Sequence, residues 1–134
     1  MKKNLLLFFA IILLAGIAVQ AQHKYHNITV QQADSLIKAR ADNPDFVVLD
    51  IRTPVEYEKG HLENSEMLNF LTTKGKREIF KLDKEKSYLI YCRSGGRTGK
   101  LLKKMKIRRF HEVYNMLGGM KAWTKEGLPV TSDK

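Results

Sequence analysis

The residues best suited to chemistry lie together in one short stretch of the chain. In order they are Cys92, Arg93, Ser94, Gly95, Gly96 and Arg97. Glycines allow a loop to turn successive backbone N–H groups inward, which makes a concave site for an anion. The two arginines, and the positive end of a helix that begins near Arg97, favour negative charge at the same place. We therefore expect the loop to hold the Cys92 side chain as a thiolate.

The protein contains no other cysteine, so Cys92 has no partner for an internal disulfide. The thiolate is the reactive form of the side chain, and nearby cations and helix N-termini lower the thiol pKa from about 8.5. No histidine lies in the loop to act as a base. The alternative is that Cys92 ends a buried strand as a small apolar residue. The arginines and glycines that follow it favour a nucleophile, because an inert cysteine needs neither.

Short apolar blocks predict the strands that must position this loop. Residues 46–49 and 88–91 are continuous apolar runs rich in β-branched and aromatic side chains, which is typical of strands buried on both faces. Residues 113–117 form a further predicted strand and residues 67–71 a weaker one. Helices predicted from capping boxes and apolar periodicity begin at Thr29 and Thr53 and span residues 74–82, 98–105 and 118–123.

Strands that alternate with helices predict an α/β fold with a mainly parallel sheet. Ligand sites in such sheets form beyond the carboxyl ends of the strands. This rule places the turn Asp50-Ile51-Arg52 beside the loop that starts at Cys92. We expect Asp50 and Arg52 to hold that turn rather than to take part in a reaction.

The first 21 residues have the pattern of a secretory signal peptide. Met1-Lys2-Lys3 supplies the positive start, residues 5–19 are an apolar run, and Ala21 ends a small-x-small site. The run is shorter than the roughly 20 residues that span a bilayer, and an uncleaved anchor is the alternative. We predict cleavage after Ala21, which lowers the net charge from +10 to +8. The product is then exported, periplasmic or secreted, without stable membrane insertion.

Three stretches of the chain resemble the rhodanese-type sulfurtransferases. They are Leu49 to Arg52 with Gly60-His61-Leu62, Tyr91 to Thr98, and Leu117 to Trp123 with Gly127 to Val130. The resemblance implies a single rhodanese-like domain over residues 28–130, with a parallel sheet and helices on both faces. A short N-terminal lead over residues 22–27 precedes it and a tail over residues 131–134 follows. The chain differs at Asn64-Ser65-Glu66, where the family usually has a Gly-Ala pair before an apolar strand.

The resemblance also implies an activity. A thiosulfate sulfurtransferase moves the outer, sulfane sulfur of thiosulfate to cyanide or a small thiol, here through a persulfide on Cys92. Cys92 would be the catalytic residue, and the substrate-binding residues would be Arg93, Ser94, Gly95, Gly96 and Arg97. The two arginines would position the anionic donor and stabilise the departing sulfite. Ser94 would either donate to the sulfur or cap the turn. Neither a cofactor nor a metal is implied.

Loop length distinguishes functions within this family of folds. Related phosphatases and arsenate reductases have one residue more than the six from Cys92 to Arg97, so this loop favours a sulfur atom over a phosphoryl group. A persulfide carrier that hands sulfur to a protein partner would use the same loop and stays an alternative. An exposed apolar rim around Cys92 would favour the carrier, whereas an open basic mouth would favour the small-molecule enzyme.

Other polar residues receive structural interpretations. The four histidines, His23, His26, His61 and His111, do not have metal-ligand spacing. We expect His61 to be structural and Trp123 to be a packing residue. The basic residues between 103 and 109 predict a solvated helix face, and no aromatic side chains are interleaved with them to stack bases. We therefore expect a monomer without a nucleic-acid partner, whose ligands are the anionic sulfur donor and the thiol or cyanide acceptor.

Overall fold

The computed structural model describes residues 22–132, and the predicted signal peptide lies outside them. Within the described residues, five parallel strands form one sheet in the order β1-β5-β4-β2-β3. The strands are β1 (Lys24–Ile28), β2 (Phe46–Asp50), β3 (Glu66–Met67), β4 (Ser87–Tyr91) and β5 (Glu112–Met116). The predicted α/β fold with a parallel sheet is confirmed.

Helices alternate with these strands along the described chain. They are α1 (Val30–Ala39), α2 (Pro54–Lys59), α3 (Thr73–Lys81), α4 (Gly96–Ile107) and α5 (Gly119–Lys125). Thr29 forms a complete capping box with Gln32, and Thr53 forms one with Glu56, so both predicted helix starts are confirmed. Between residues 22 and 132, no helix is both long enough and apolar enough to cross a membrane.

The core lies on both faces of the sheet, and β4 is its central strand. Side chains alternate along β4 because successive residues of a strand point to opposite faces. Tyr88 and Ile90 belong to the buried cluster that α3 and α4 complete, and Leu89 and Tyr91 belong to the cluster that α1 and α5 complete. Cys92 continues this alternation on the face of α3 and α4, which explains its burial.

The edge strand β1 is absent from the sequence-based prediction. Most of the N-terminal lead forms it, and it pairs in parallel with β5. Of its five residues only Ile28 is buried. An edge strand has a neighbour on one side only, so β1 needs no continuous apolar run, and the pattern that predicts the central strands is missing. The ring of His26 stacks on Tyr114 of β5 with 4.9 Å between centroids.

The strand β3 is shorter than residues 67–71, over which it is predicted. Only Glu66–Met67 pairs with β2. Just before it, Asn64 has a left-handed φ of +57°, and Ser65 is buried with its hydroxyl 3.2 Å from the Tyr91 hydroxyl. The sequence that departs from the usual Gly-Ala pair therefore forms a tight turn, which ties this edge of the sheet to β4.

Candidate active site

Two turns meet at the carboxyl edge of the sheet, as the sequence predicts. The strands β2 and β4 are neighbours, and Asp50 lies opposite Tyr91 in their register. The turn over residues 50–52 and the loop over residues 92–97 therefore emerge side by side. The N–H of Ile51 donates to the Tyr91 carbonyl oxygen at 3.1 Å, which extends the pairing beyond the last residue of β2.

The Cys92 side chain is enclosed by its own loop. Its sulfur accepts a hydrogen bond from the Gly95 N–H at 3.1 Å, and the Thr98 hydroxyl oxygen lies 3.7 Å from it. Gly95 has a φ of +101°, a conformation that favours glycine, and this conformation turns the loop back over the sulfur. Only 1% of the Cys92 surface is exposed, so a sulfur donor must reach the sulfur through the mouth of the loop.

The surroundings of Cys92 favour its ionised form. Burial raises the pKa of the thiol, but hydrogen bonds from the backbone N–H groups of Thr98, Gly95 and Ser94 and from the Thr98 hydroxyl outweigh burial. The pKa of Cys92 therefore lies below its ordinary value. The inward N–H groups expected from the glycines supply most of this effect. Ser94 contributes through its backbone, and its side chain is exposed.

The first turn of α5 holds the loop from behind. The N–H of Met120 donates to the Cys92 carbonyl oxygen and the N–H of Lys121 to the Arg93 carbonyl oxygen, each at 2.9 Å. A Cβ atom on Gly119 would lie 2.3 Å from the Cys92 carbonyl oxygen, so only glycine permits this approach. The sequence predicts that the two glycines open α5, but it does not predict this contact with the loop.

Arg97 is committed to an ion pair with Glu56, the residue that completes the capping box of α2. Its two terminal nitrogens donate to the two carboxylate oxygens of Glu56 at 2.8 and 2.7 Å. The Arg97 guanidinium and the hydrogen bonds from Thr53 outweigh the opposing effect of burial and lower the pKa of Glu56 to about 2. Arg97 thus fastens the end of the loop to α2. The sequence pattern identifies both residues but not their pairing.

The Arg93 side chain is exposed and lines a cleft of about 520 Å³ beside the loop. Two further cations, Lys59 and Lys121, line the same cleft. No described carboxylate forms a salt bridge with any of these three side chains. The other lining residues are Arg52, Glu56, Gly60, Met120, Thr124 and Val130. The cleft beside the loop is therefore open, and its charge is mainly positive.

Asp50 and Arg52 hold the neighbouring turn, in agreement with the role expected for them. Both are buried, and the Arg52 Nε and Nη2 atoms donate to the two carboxylate oxygens of Asp50 at distances between 2.7 and 3.1 Å. The Arg52 Nη2 atom also donates to the Gly60 carbonyl oxygen at 2.7 Å. This network connects β2 to the end of α2.

Comparison with known proteins agrees with this architecture. The family model of the rhodanese-like domain matches residues 32–126. The chain belongs to the rhodanese-like domain family. It is 30% identical over 100 residues to a sulfurtransferase from Allochromatium vinosum, and the aligned region covers 75% of this chain and 92% of that protein. It is 32% identical over 99 residues to the thiosulfate sulfurtransferase GlpE from Coxiella burnetii, and the aligned region covers 74% of this chain and 87% of that protein.

A solved structure shows the same fold. The rhodanese-related protein from Thermoplasma volcanium superposes on this chain with a TM-score of 0.67 at 28% identity, over 81% of this chain and all of that one. The rhodanese-like domain identified from the Cys92 loop and its flanking motifs is thus confirmed as the family and the fold.

The contacts of His61 and Trp123 agree with the structural roles expected for them. His61 is buried, its ring stacks on Tyr57 with 3.6 Å between centroids, and its backbone pairs with Thr131. Trp123 is buried and its indole N–H donates to the Pro129 carbonyl oxygen at 2.9 Å. Among residues 22–132, no three histidine, cysteine or acidic side chains cluster closely enough to hold a metal ion.

Proposed function

We propose that this protein is a thiosulfate sulfurtransferase that works through a persulfide on Cys92. The observation that carries the proposal is the enclosure of the Cys92 sulfur by backbone N–H groups in a loop that has a basic cleft beside it. Such an enclosure stabilises both a thiolate and the terminal sulfur of a persulfide, since each carries negative charge.

The reaction has two displacements at sulfur. In the first, the Cys92 thiolate attacks the outer sulfur of thiosulfate, a new S–S bond forms, and sulfite leaves with the electron pair of the broken bond. In the second, cyanide or a thiolate attacks the outer sulfur of the persulfide, and the Cys92 thiolate leaves. No electrons are gained or lost overall, so the cycle needs no redox cofactor. The covalent intermediate divides the transfer into two steps.

The cations have separate roles in this proposal. Arg93, which no described carboxylate neutralises, is the donor contact, and Lys59 and Lys121 add positive charge to the approach of a dianion. Arg97 supports the shape of the loop through Glu56, because both of its terminal nitrogens already donate to that carboxylate. The substrate-binding role expected for Arg97 is therefore indirect.

The charge of the cleft favours the small-molecule enzyme over a carrier for a protein partner. Its charged lining residues are the cations Arg52, Lys59, Arg93 and Lys121 and a single carboxylate, Glu56. The positive charge of such a cleft attracts a dissolved dianion, whereas the cores of protein interfaces are depleted of charged residues.

Steady-state turnover with thiosulfate and cyanide tests the proposal. Separate assays use 3-mercaptopyruvate as an alternative sulfur donor and an aryl phosphate as a phosphatase substrate. We expect thiocyanate formation from thiosulfate, weaker use of 3-mercaptopyruvate and no release of phosphate. Turnover of the aryl phosphate, or no thiocyanate from thiosulfate, would contradict the assignment.

We also propose that the chain is exported and cleaved after Ala21. The positive start, the apolar run and the small-x-small site support this, and all lie outside the described residues. N-terminal sequencing of protein recovered from an exporting host should begin at Gln22. A species that retains residues 5–19 would identify an uncleaved anchor instead.

A further inference from the structure

A basic surface with an exposed isoleucine lies at the far end of α4 from the Cys92 loop. We call it the basic platform, and it consists of Lys103, Lys104, Lys106, Ile107, Arg108 and Arg109. All six residues are exposed. Ile107 is 81% exposed, the highest value among the exposed large apolar residues that the structure describes. At about 1.5 Å per residue, the platform extends from about 10 Å (Lys103) to about 16 Å (Ile107) along α4 from Gly96.

No described carboxylate neutralises the cations of the basic platform. No salt bridge in the part of the chain that the structure describes involves any of the five. Two of them are held in place by aromatic rings instead. The Lys106 ammonium lies 5.4 Å from the Tyr25 ring centroid, and the Arg108 guanidinium lies 3.9 Å from that of Phe80. The covered faces of these rings are not free to stack on bases, which disfavours single-stranded nucleic acid as the partner.

On the outer side of α4, cations surround an exposed aliphatic side chain. Lys103 and Lys104 precede Ile107 by one turn on the outer side of the helix, while Leu101 and Met105 pack into the core. Cations around a protruding aliphatic side chain can contact lipid phosphates while the side chain enters the boundary of the acyl region.

The path of the chain brings the N-terminal segment to the same place. The His23 Nδ1 atom lies 3.1 Å from the Phe110 carbonyl oxygen, and the Lys24 N–H donates to the His111 carbonyl oxygen at 2.7 Å. The chain thus enters the domain beside the end of the basic platform. In the sequence, the apolar run ends at Val19, four positions before His23. The proposed cleavage after Ala21 removes that run, and the new N-terminus at Gln22 then lies beside the end of the basic platform.

We propose that the basic platform docks the domain on an anionic phospholipid surface. Its cations would contact the lipid phosphates, and Ile107 would enter the boundary between headgroups and acyl chains. The carboxyl edge of the sheet, with Cys92, would then face away from the membrane and stay open to dissolved sulfur donors. This surface is independent of the reaction at Cys92, so the proposal does not rest on the proposed activity.

Vesicle co-sedimentation tests the docking. Protein produced from the complete chain, with its N-terminus identified by intact mass, is mixed with vesicles of phosphatidylcholine alone or with 30% phosphatidylglycerol. Each cation near an anionic surface contributes about 1 kcal/mol, or about fivefold in binding. We therefore expect Lys103→Gln/Lys104→Gln to bind the anionic vesicles about thirtyfold more weakly, and Ile107→Asn roughly tenfold more weakly. Raising the salt concentration should also weaken the binding.

A matched pair on the other face of the sheet controls for net charge. Lys38→Gln/Lys125→Gln removes the same charge from α1 and α5, and we expect at most a twofold loss. Circular dichroism melts check that each variant is folded. Equal binding of the unaltered protein to both vesicle types, or an equal loss in the control pair, would overturn the proposal. The proposal would also be overturned if the protein bound a DNA or RNA duplex, or an acidic protein, more tightly than anionic vesicles, and if Ile107→Asn did not change that binding.

Discussion

The ion pair between Glu56 and Arg97 can be separated from the helix cap that Glu56 also forms. In α1 the same capping box is completed by Gln32, so glutamine serves at this position. Replacing Glu56 by glutamine therefore keeps the capping pattern and removes the charge. Glu58→Gln, an exposed carboxylate in the same helix, is the matched control.

The stability that Glu56→Gln is expected to lose follows from the pKa of Glu56, which lies near 2 against an ordinary value of 4.5. At about 1.36 kcal/mol for each pKa unit, the ceiling is about 3 kcal/mol in the free energy of unfolding. The Glu56 side chain is 27% exposed, and solvent screens part of that interaction. We expect Glu56→Gln to lose about 1–2 kcal/mol at pH 7 and Glu58→Gln less than about 0.5 kcal/mol.

The effect has a defined pH dependence. The pKa of Glu56 is lower in the folded state, so its contribution is present above about pH 4.5 and is lost as the pH falls toward 2. Urea unfolding followed by Trp123 fluorescence should show the difference between Glu56→Gln and the unaltered protein falling by more than half from pH 7 to pH 3. Equal stability of the two proteins at pH 7, or a difference that grows in acid, would refute this reasoning.

Three further predictions concern the loop and its donor. Arg93→Ala should lower kcat/KM for thiosulfate tenfold to a hundredfold, since one charge-assisted contact contributes about 1.5–3 kcal/mol. The stopped-flow rate at which the preformed persulfide reacts with a neutral thiol should fall less in this variant than kcat/KM for thiosulfate. If Arg93→Ala and the unaltered protein use thiosulfate with the same salt dependence, Arg93 is excluded as the donor contact. Gly119→Ala should lower the free energy of unfolding by about 2–4 kcal/mol because its Cβ would collide with the Cys92 carbonyl. Gly99→Ala, where a Cβ meets nothing within 4 Å, should be neutral or stabilising in the same urea titration. The rate of Cys92 alkylation against pH should have its midpoint below the ordinary thiol value, and a midpoint above it would show that burial outweighs the N–H groups.

Local patterns in the sequence were sufficient to predict the central strands, two capped helix starts and the position of Cys92. Each of these depends on residues close together in the chain, and the apolar runs of β2 and β4 are unambiguous because both of their faces are buried. The edge strand β1 could not be predicted in this way, since its pairing with β5 uses backbone groups that every residue carries.

The parts of the site that could not be predicted depend on contacts between distant residues. Glu56 and Arg97 are 41 positions apart, and nothing in the spacing of either residue indicates the other. The hydrogen bonds from Met120 and Lys121 to the loop carbonyls are backbone contacts, so the only sequence signal is the glycine at 119 that allows the close approach. That signal identifies a turn but not what packs against it.

Intact-protein mass spectrometry after treatment with thiosulfate tests the central claim most directly. The account predicts that the protein gains one sulfur atom, that cyanide removes it, and that Cys92→Ser gains none. An unmodified protein, or a Cys92→Ser variant that still gains sulfur, would contradict a persulfide on Cys92 as the intermediate.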